Sequence, residues 1–311
     1  MRLGIDIMGG DYAPQVPMQG TIMALEHLPS NIKMVLFGDA AFIESYLKDN
    51  GIRDPRIEIV PTTEVIEMHE SPAQAFLQKH NSSISVGFQY LKDDKIDNFA
   101  SAGSTGAMMV GAMQVIKVIE GINRPCIASL VPKPDGNYSI IADVGLNPDA
   151  KPDVLNQYAI IASKYAQFVL GVEKPKVALL NIGSEPEKGN LLAKATYELM
   201  KENKEINFIG NVEGFDVLKN KADVIITDGF VGNIVLKMAE GFYSAMKKRN
   251  IQDEYLQKFN FENYGGTPVL GVNKPIIIGH GASTPKAIMN MIIHTYKVTK
   301  AELVEKLKEA F

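Results

Sequence analysis

Ser101-Ala102-Gly103-Ser104-Thr105-Gly106-Ala107 follows a strand-like run, Ile96 to Ala100, and opens onto Met108 to Ile119, a segment apolar on nearly every side. That order predicts a strand, a tight glycine turn and a buried helix. The two glycines let the backbone turn sharply and approach a ligand. Ser104 and Thr105 can cap the helix and offer hydroxyls. Free N–H groups and the positive end of the helix dipole make an anion the natural guest. A ligand-free crossover is the competing reading of the loop alone, and the recurrence of similar loops shifts the balance toward a ligand.

Outward from this stretch the same rhythm repeats. Leu3 to Met8 reads as a buried strand that stops at Gly9-Gly10-Asp11, followed by a helix from Pro17 to His27. Lys33 to Phe37, Ile57 to Val60, Lys176 to Leu180, Asn207 to Gly210, Asp223 to Thr227 and Ile276 to Ile278 read as further strands, most of them alternating with helices. Asn81-Ser82-Ser83 reads as the capped start of a helix. Cys126 to Val131 and Tyr138 to Asp143, joined across Pro132 to Asn137, form a hairpin, so the sheet is mixed. The expected fold is therefore α/β: three layers, α/β/α, around a mixed, mostly parallel sheet. At least five expected strands end in loops rich in Gly, Asp, Asn or Ser, at the sheet edge where such folds bind ligands. Asp228 to Asn233 reads as one of these loops, with a helix from Ile234 to Lys247. No linker or repeat interrupts the pattern, and a single domain, 1–311, is expected.

Composition narrows the function. The chain has 311 residues, is 46% hydrophobic and carries a net charge of -4, the profile of an ordinary globular protein without the basic stripe of a nucleic-acid binder. Nucleic acid is not an expected partner. One cysteine, Cys126, excludes an internal disulfide and suits a reducing compartment. No signal peptide or membrane-spanning run is apparent, and a cytoplasmic location is expected. Cys126 has no activating base nearby in sequence and reads as a buried, inert thiol rather than an acyl carrier.

Several familiar sites are missing: no phosphate loop ending in Gly-Lys-Ser/Thr, no dinucleotide fingerprint, no serine elbow and no zinc-protease helix. No cofactor or metal is expected. Asp143, Asp223 and Asp228 together could hold a hard cation, but aspartates after strands more often fix loops.

Taken in order, Asp6-Ile7-Met8-Gly9-Gly10-Asp11 with Ala13-Pro14, Asn81-Ser82-Ser83, the Ser101 to Ala107 loop and Asp143-Val144-Gly145 resemble the phosphate acyltransferase family PlsX. Asn181-Ile182-Gly183 with Lys188-Gly189-Asn190, Thr227 to Asn233 and Tyr264 to Pro268 continue the likeness, which runs from residue 1 to about 297. Ser104 stands where the family usually has asparagine. The resemblance implies transfer of a long-chain acyl group from an acyl carrier protein thioester to inorganic phosphate, giving acyl phosphate for phospholipid synthesis. It also implies an isocitrate-dehydrogenase-like fold, a homodimer and peripheral membrane contact.

The chemistry makes modest demands. Phosphate is a competent nucleophile at neutral pH and a thiol of pKa about 8.5 leaves easily, so no catalytic triad is required. Alignment and charge are the hard parts. The expected catalytic residues are Lys188, offsetting charge on phosphate and intermediate; Asn181, donating to the carbonyl oxygen; Asp228, orienting Lys188 or taking a phosphate proton; and His80 or else His280, protonating the departing sulfur. Asp11, Gly103, Ser104, Thr105, Gly106, Gly232 and Asn233 are the expected substrate- and phosphate-binding set. The alternatives are a phosphate acetyl- or butyryltransferase using short acyl-CoA, a non-catalytic acyl-carrier or lipid sensor, and a metal-dependent hydroxyacid dehydrogenase.

Overall fold

The protein is described by a computed structural model covering residues 1–311. In chain order the elements are β1 (Arg2–Asp6), α1 (Gln15–Leu25), β2 (Lys33–Gly38), α2 (Ala40–Asp49), β3 (Ile57–Pro61), α3 (Pro72–Gln78), α4 (Ser83–Lys92), β4 (Asn98–Ser101) and α5 (Thr105–Val110). There follow β5 (Cys126–Pro132), β6 (Tyr138–Ala142), α6 (Pro152–Phe168), β7 (Lys176–Leu180), α7 (Leu191–Glu202), β8 (Asn207–Val212), β9 (Val224–Ile226), α8 (Gly229–Lys248) and α9 (Glu254–Gln257). The chain closes with β10 (Thr267–Leu270), β11 (Ile276–Ile278), α10 (Pro285–Lys300) and α11 (Leu303–Lys308).

These elements fall into two compact units, Met1–Val118 with Phe261–Lys300, and Ile119–Asn260 with Ala301–Phe311. Each is built from separated stretches of chain, so composition carries no linker to mark the division.

In the first unit the strands run β3-β2-β1-β4-β11-β10. All neighbours are parallel except β10 against β11. Side chains alternate across β4 and show the layering. Asn98 Nδ2 donates to Thr299 Oγ1 of α10 at 2.8 Å, whereas the Phe99 ring meets Phe88 of α4 edge-on at 5.4 Å. Helices α10 and α4 therefore cover opposite faces. Phe37 joins Phe99 at 5.6 Å in the same edge-to-face manner, completing an aromatic core under α4. Gly87 and Gly111 lie directly against the Phe99 and Phe88 rings, which leaves no room for a Cβ at either position.

The second unit orders its strands β5-β6-β9-β7-β8, with β5 antiparallel to β6 and the rest parallel. Helix α6 buries Leu155, Tyr158, Ala159, Ala162, Tyr165 and Ala166, the stripe that its three- and four-residue spacing predicts. Both units are thus mixed, mostly parallel α/β sheets, as expected, and the Pro132 to Asn137 hairpin is in place.

Four boundaries differ from expectation. Strand β1 ends at Asp6 rather than Met8, because the Asp6 carboxylate accepts the Met8 N–H at 2.9 Å and turns the chain off the ladder. The helix after Ser104 starts at Thr105, continues as a π-helical stretch from Gly111 to Ile116, and exposes Met113. Helix α8 begins at Gly229, so Gly232 and Asn233 belong to its first five residues rather than to a loop. Strand β10 escapes sequence reading because it is four residues long and contains Pro268, a poor ladder donor.

His294 of α10 gives the first unit an acid-sensitive element. Its Nδ1 lies 3.2 Å from Gly266 O, and burial lowers its pKa to about 4. Above the ordinary histidine value of about 6.5 both folded and unfolded forms are neutral, so stability is unaffected. Below it the unfolded chain gains a proton that the folded chain refuses, and stability falls until the folded ring protonates near pH 4. The expected loss is about 3 kcal/mol. Urea melts between pH 7 and pH 4.5 should show a shallower decline for His294→Gln than for the parent; parallel declines would contradict this.

Candidate active site

In the first unit three neighbouring strands, β1, β4 and β11, deliver three glycine turns to one rim. Asp6 and Ser101 meet side by side at the ends of β1 and β4, and Ser101 Oγ donates to Asp6 Oδ2 at 2.6 Å. Ser101 Oγ in turn accepts the Gly103 N–H at 2.9 Å. Gly9 crosses over this pair: a Cβ there would lie 2.6 Å from Gly103 N and 2.8 Å from Ser101 Oγ. From β11, Gly281 O accepts the Asp11 N–H at 2.8 Å, while Gly279 N donates to Ser101 O at 2.8 Å. Gly10, at φ +111, takes a conformation that a side chain resists.

The structure thus gathers the Asp11 turn, Gly103 and Ser104, as the sequence predicts. Ser104 caps α5, its Oγ accepting the Ala107 N–H at 3.3 Å, and Thr105 is exposed. Gly106 packs on the Pro72 ring at the start of α3, so its role includes bringing α5 onto α3. His80 is exposed on the turn between α3 and α4, and Ser82 caps α4 through the Ser85 N–H at 3.2 Å.

In the second unit the rim is formed by the ends of β6, β7, β8 and β9. The turn after β7 presents Lys188 on a braced loop. Asn181 Nδ2 donates to Lys188 O at 3.1 Å and Asn181 Oδ1 accepts the Ile182 N–H at 2.8 Å. Asn211, buried at the end of β8, donates through Nδ2 to Glu185 O at 2.8 Å, and Asn190 caps α7 through the Ala193 N–H at 2.8 Å. Gly189, at φ +94, lies against the Asn181 amide. Lys188 itself is exposed and pairs with no carboxylate. Ile182 and Leu191, at 81% and 87% exposure, flank it with apolar surface.

Asp228 caps α8, its Oδ1 accepting the Val231 N–H at 2.8 Å, and forms no ion pair with Lys188. Gly229 and Gly232 let that first turn lie against the Asp143 segment: a Cβ on Gly229 would fall 2.7 Å from Asp143 Oδ2. Asn233 Nδ2 reaches Val144 O at 3.4 Å. Asp143 is fully buried and accepts N–H groups from Ile127 at 3.0 Å, Leu146 at 3.1 Å and Asn147 at 2.6 Å. Burial raises its pKa despite these donors. Asp223 sits at the opposite end of β9, where it holds Lys133 Nζ at 2.5 Å and the Lys176 N–H at 2.8 Å. The three aspartates therefore fix loops and do not converge on a cation. Cys126 is buried, and its thiol is pushed well above the ordinary range by burial and by Asp143.

Sequence reasoning assigns no role to Asp6 or Asn211. Both are polar residues at the ends of buried strands beside glycine-containing loops, and that position is the signal that distinguishes them.

The chain matches the family described as "Fatty acid synthesis protein" over residues 1–306. It is 43% identical to a phosphate acyltransferase of Dictyoglomus thermophilum, covering 99% of this chain and 97% of that one. It is 37% identical to a phosphate acyltransferase of Brevibacillus brevis, covering 100% and 97%. Among solved structures it shares its fold with a phosphotransacetylase from Streptococcus pyogenes, at TM-score 0.68 and 18% identity over 98% of this chain and 94% of that one. A 4-hydroxythreonine-4-phosphate dehydrogenase from Klebsiella pneumoniae follows at TM-score 0.55 and 12% identity over 96% and 98%.

Proposed function

The chain belongs to the PlsX family of phosphate acyltransferases, and from this premise we propose that it moves a long-chain acyl group from an acyl carrier protein thioester to inorganic phosphate. That it is an acyltransferase with phosphate as acceptor follows from its family. The donor, the chain length and the residue roles are our reading, as is the assignment of one activity to the whole of residues 1–311.

The observation that carries the reading is the pairing of chemistry with family: the first unit has glycine turns with backbone N–H groups at a strand-end rim, and the second has an unpaired lysine flanked by exposed apolar side chains. In the proposed step a phosphate oxygen attacks the thioester carbonyl. The C–S bond then breaks, and the thiolate leaves with the sulfur electron pair. Backbone groups around Asp11 and Gly103 to Gly106 are the proposed phosphate-holding groups of the first unit, and Gly232 and Asn233 those of the second. Lys188 offsets the charge of phosphate and of the tetrahedral oxyanion. Asn181 has one amide hydrogen on Lys188 O, leaving the other for the carbonyl oxygen. Asp228 retains Oδ2 for a phosphate proton, and His80 is the proposed proton donor to sulfur.

A long acyl chain needs apolar surface. Ile182, Leu191 and the exposed stripe Phe230, Ile234, Met238 and Phe242, one residue per turn of α8, supply it. The same stripe offers surface to a second copy or to a membrane, and we propose both a homodimer and peripheral membrane contact in the cytoplasm. No helix is long and apolar enough to cross a membrane.

The test is thiol release, followed with and without phosphate, from a long-chain acyl carrier protein and from acetyl-CoA. Release that requires phosphate and strongly favours the carrier protein is expected. Equal or greater turnover of acetyl-CoA would support the short-chain alternative instead.

A further inference from the structure

We propose that Asp6 is a positioning residue for phosphate binding, locking the turns after β1 and β4 into one surface; the inference rests on the acyl-transfer reading above. The carboxylate is buried at 1% exposure. It accepts hydrogen bonds from the Met8 N–H at 2.9 Å and from the Ser101 hydroxyl at 2.6 Å. The turn after β1 and the end of β4 thus converge on one side chain.

The direction of these bonds matters more than their number. A carboxylate can only accept, so Ser101 must spend its single proton on Asp6. Its oxygen is then free to accept the Gly103 N–H, which fixes the turn that leads to Ser104 and Thr105. An amide at position 6 could instead donate to Ser101. The hydroxyl would then lose its fixed direction, and the Gly103 turn would lose a set partner. Gly9 lies over the same pair with no space for a side chain, so any shift of Ser101 moves both turns together.

Burial works against a charge here and raises the carboxyl pKa, which the hydrogen bonds to it only partly offset. An apolar pair would close the same strands at lower cost. What it could not do is set the polarity of the Ser101 hydroxyl. Asp6 itself does not touch the substrate, because it lies beneath the turns that would.

Two variants separate this role from a general loss of fold. Asp6→Asn keeps the shape and reverses the donor; Ser101→Ala keeps the carboxylate and removes the relay. Initial rates are measured against phosphate at saturating acyl donor, and against acyl donor at saturating phosphate. Hydrogen bonds to charged groups are strong enough that the phosphate KM should rise roughly tenfold to a hundredfold in each variant. The acyl-donor KM should stay within about twofold, since the proposal loosens one binding surface only. A phosphate KM unchanged in Ser101→Ala, or one that rises in step with the acyl-donor KM, overturns the proposal. Ser101→Ala decides alone if Asp6→Asn does not fold. Failure of the parent enzyme to release thiol on addition of phosphate overturns the acyl-transfer reading itself. A phosphate-dependent parent with unshifted variants overturns only the role of Asp6.

Discussion

Replacing Lys188 by alanine is expected to lower turnover by two orders of magnitude or more while leaving the folded protein intact. The loss corresponds to about 3 kcal/mol of transition-state stabilisation, the scale of removing one preorganised group from a developing oxyanion. Stability should be spared because the Lys188 side chain is exposed and pairs with no carboxylate. The loop is held by other atoms, namely the amides of Asn181 and Asn211 and the cap of Asn190. Single-turnover thiol release at saturating phosphate, beside a thermal melt, makes the comparison. Near-normal turnover would remove the lysine from the mechanism. A large drop in melting temperature would show instead that its aliphatic stem is part of the fold.

The second large effect is expected from Gly232→Ala. A methyl group there would collide with the Asp143 carbonyl oxygen and approach Asp143 C and Thr227 Cγ2 at 3.0 Å. Two of these three atoms are backbone, so no rotamer change relieves the clash. Overpacking of this kind costs about 3 kcal/mol. The first turn of α8 must move off the rim or the segment after β6 must shift. Either response misplaces Asn233 and the Asp228 cap, so both melting temperature and turnover should fall, turnover by more than about a hundredfold if misplacement by an ångström suffices. Gly241, further along the same helix with open space around it, is the control: Gly241→Ala should be neutral or slightly stabilising. Equal behaviour of the two variants would contradict the packing argument.

Much of this architecture is legible in the sequence because burial and period agree. Lys176 to Leu180 is apolar and β-favouring, and it ends at a glycine loop, so strand and rim are read together. Helix α6 declares itself by its stripe, and the β5–β6 hairpin by its Pro, Asp and Gly. What fails locally is decided by tertiary contact. Met108 to Ile119 reads as uniformly buried, yet its last turns are π-helical and expose Met113, an outcome of packing that no local pattern encodes. The start of α8 was hidden because Asp228-Gly229 looks like a turn, when the aspartate is in fact its cap. Division into two units is likewise invisible, since each draws on distant stretches of chain.

The site was legible in kind more than in wiring. Glycine turns at strand ends were foreseen, and those after β1, β4 and β11 do meet. The partners of each polar group were not foreseen: Asn181 and Asp228 both serve their own loops first, through Lys188 O and the Val231 N–H. Asp6 stands in the sequence only as part of the Asp6 to Asp11 motif, because its role depends on Ser101, a partner 95 residues away.

Direct attack of phosphate on a thioester fixes the product, and trapping that product is the most direct measurement. With a long-chain acyl carrier protein, phosphate and hydroxylamine added after the reaction is quenched, the account predicts one acyl hydroxamate per thiol released and no thiol release when phosphate is omitted. Thiol release that proceeds without phosphate, yielding free fatty acid and no trappable acyl phosphate, would contradict it.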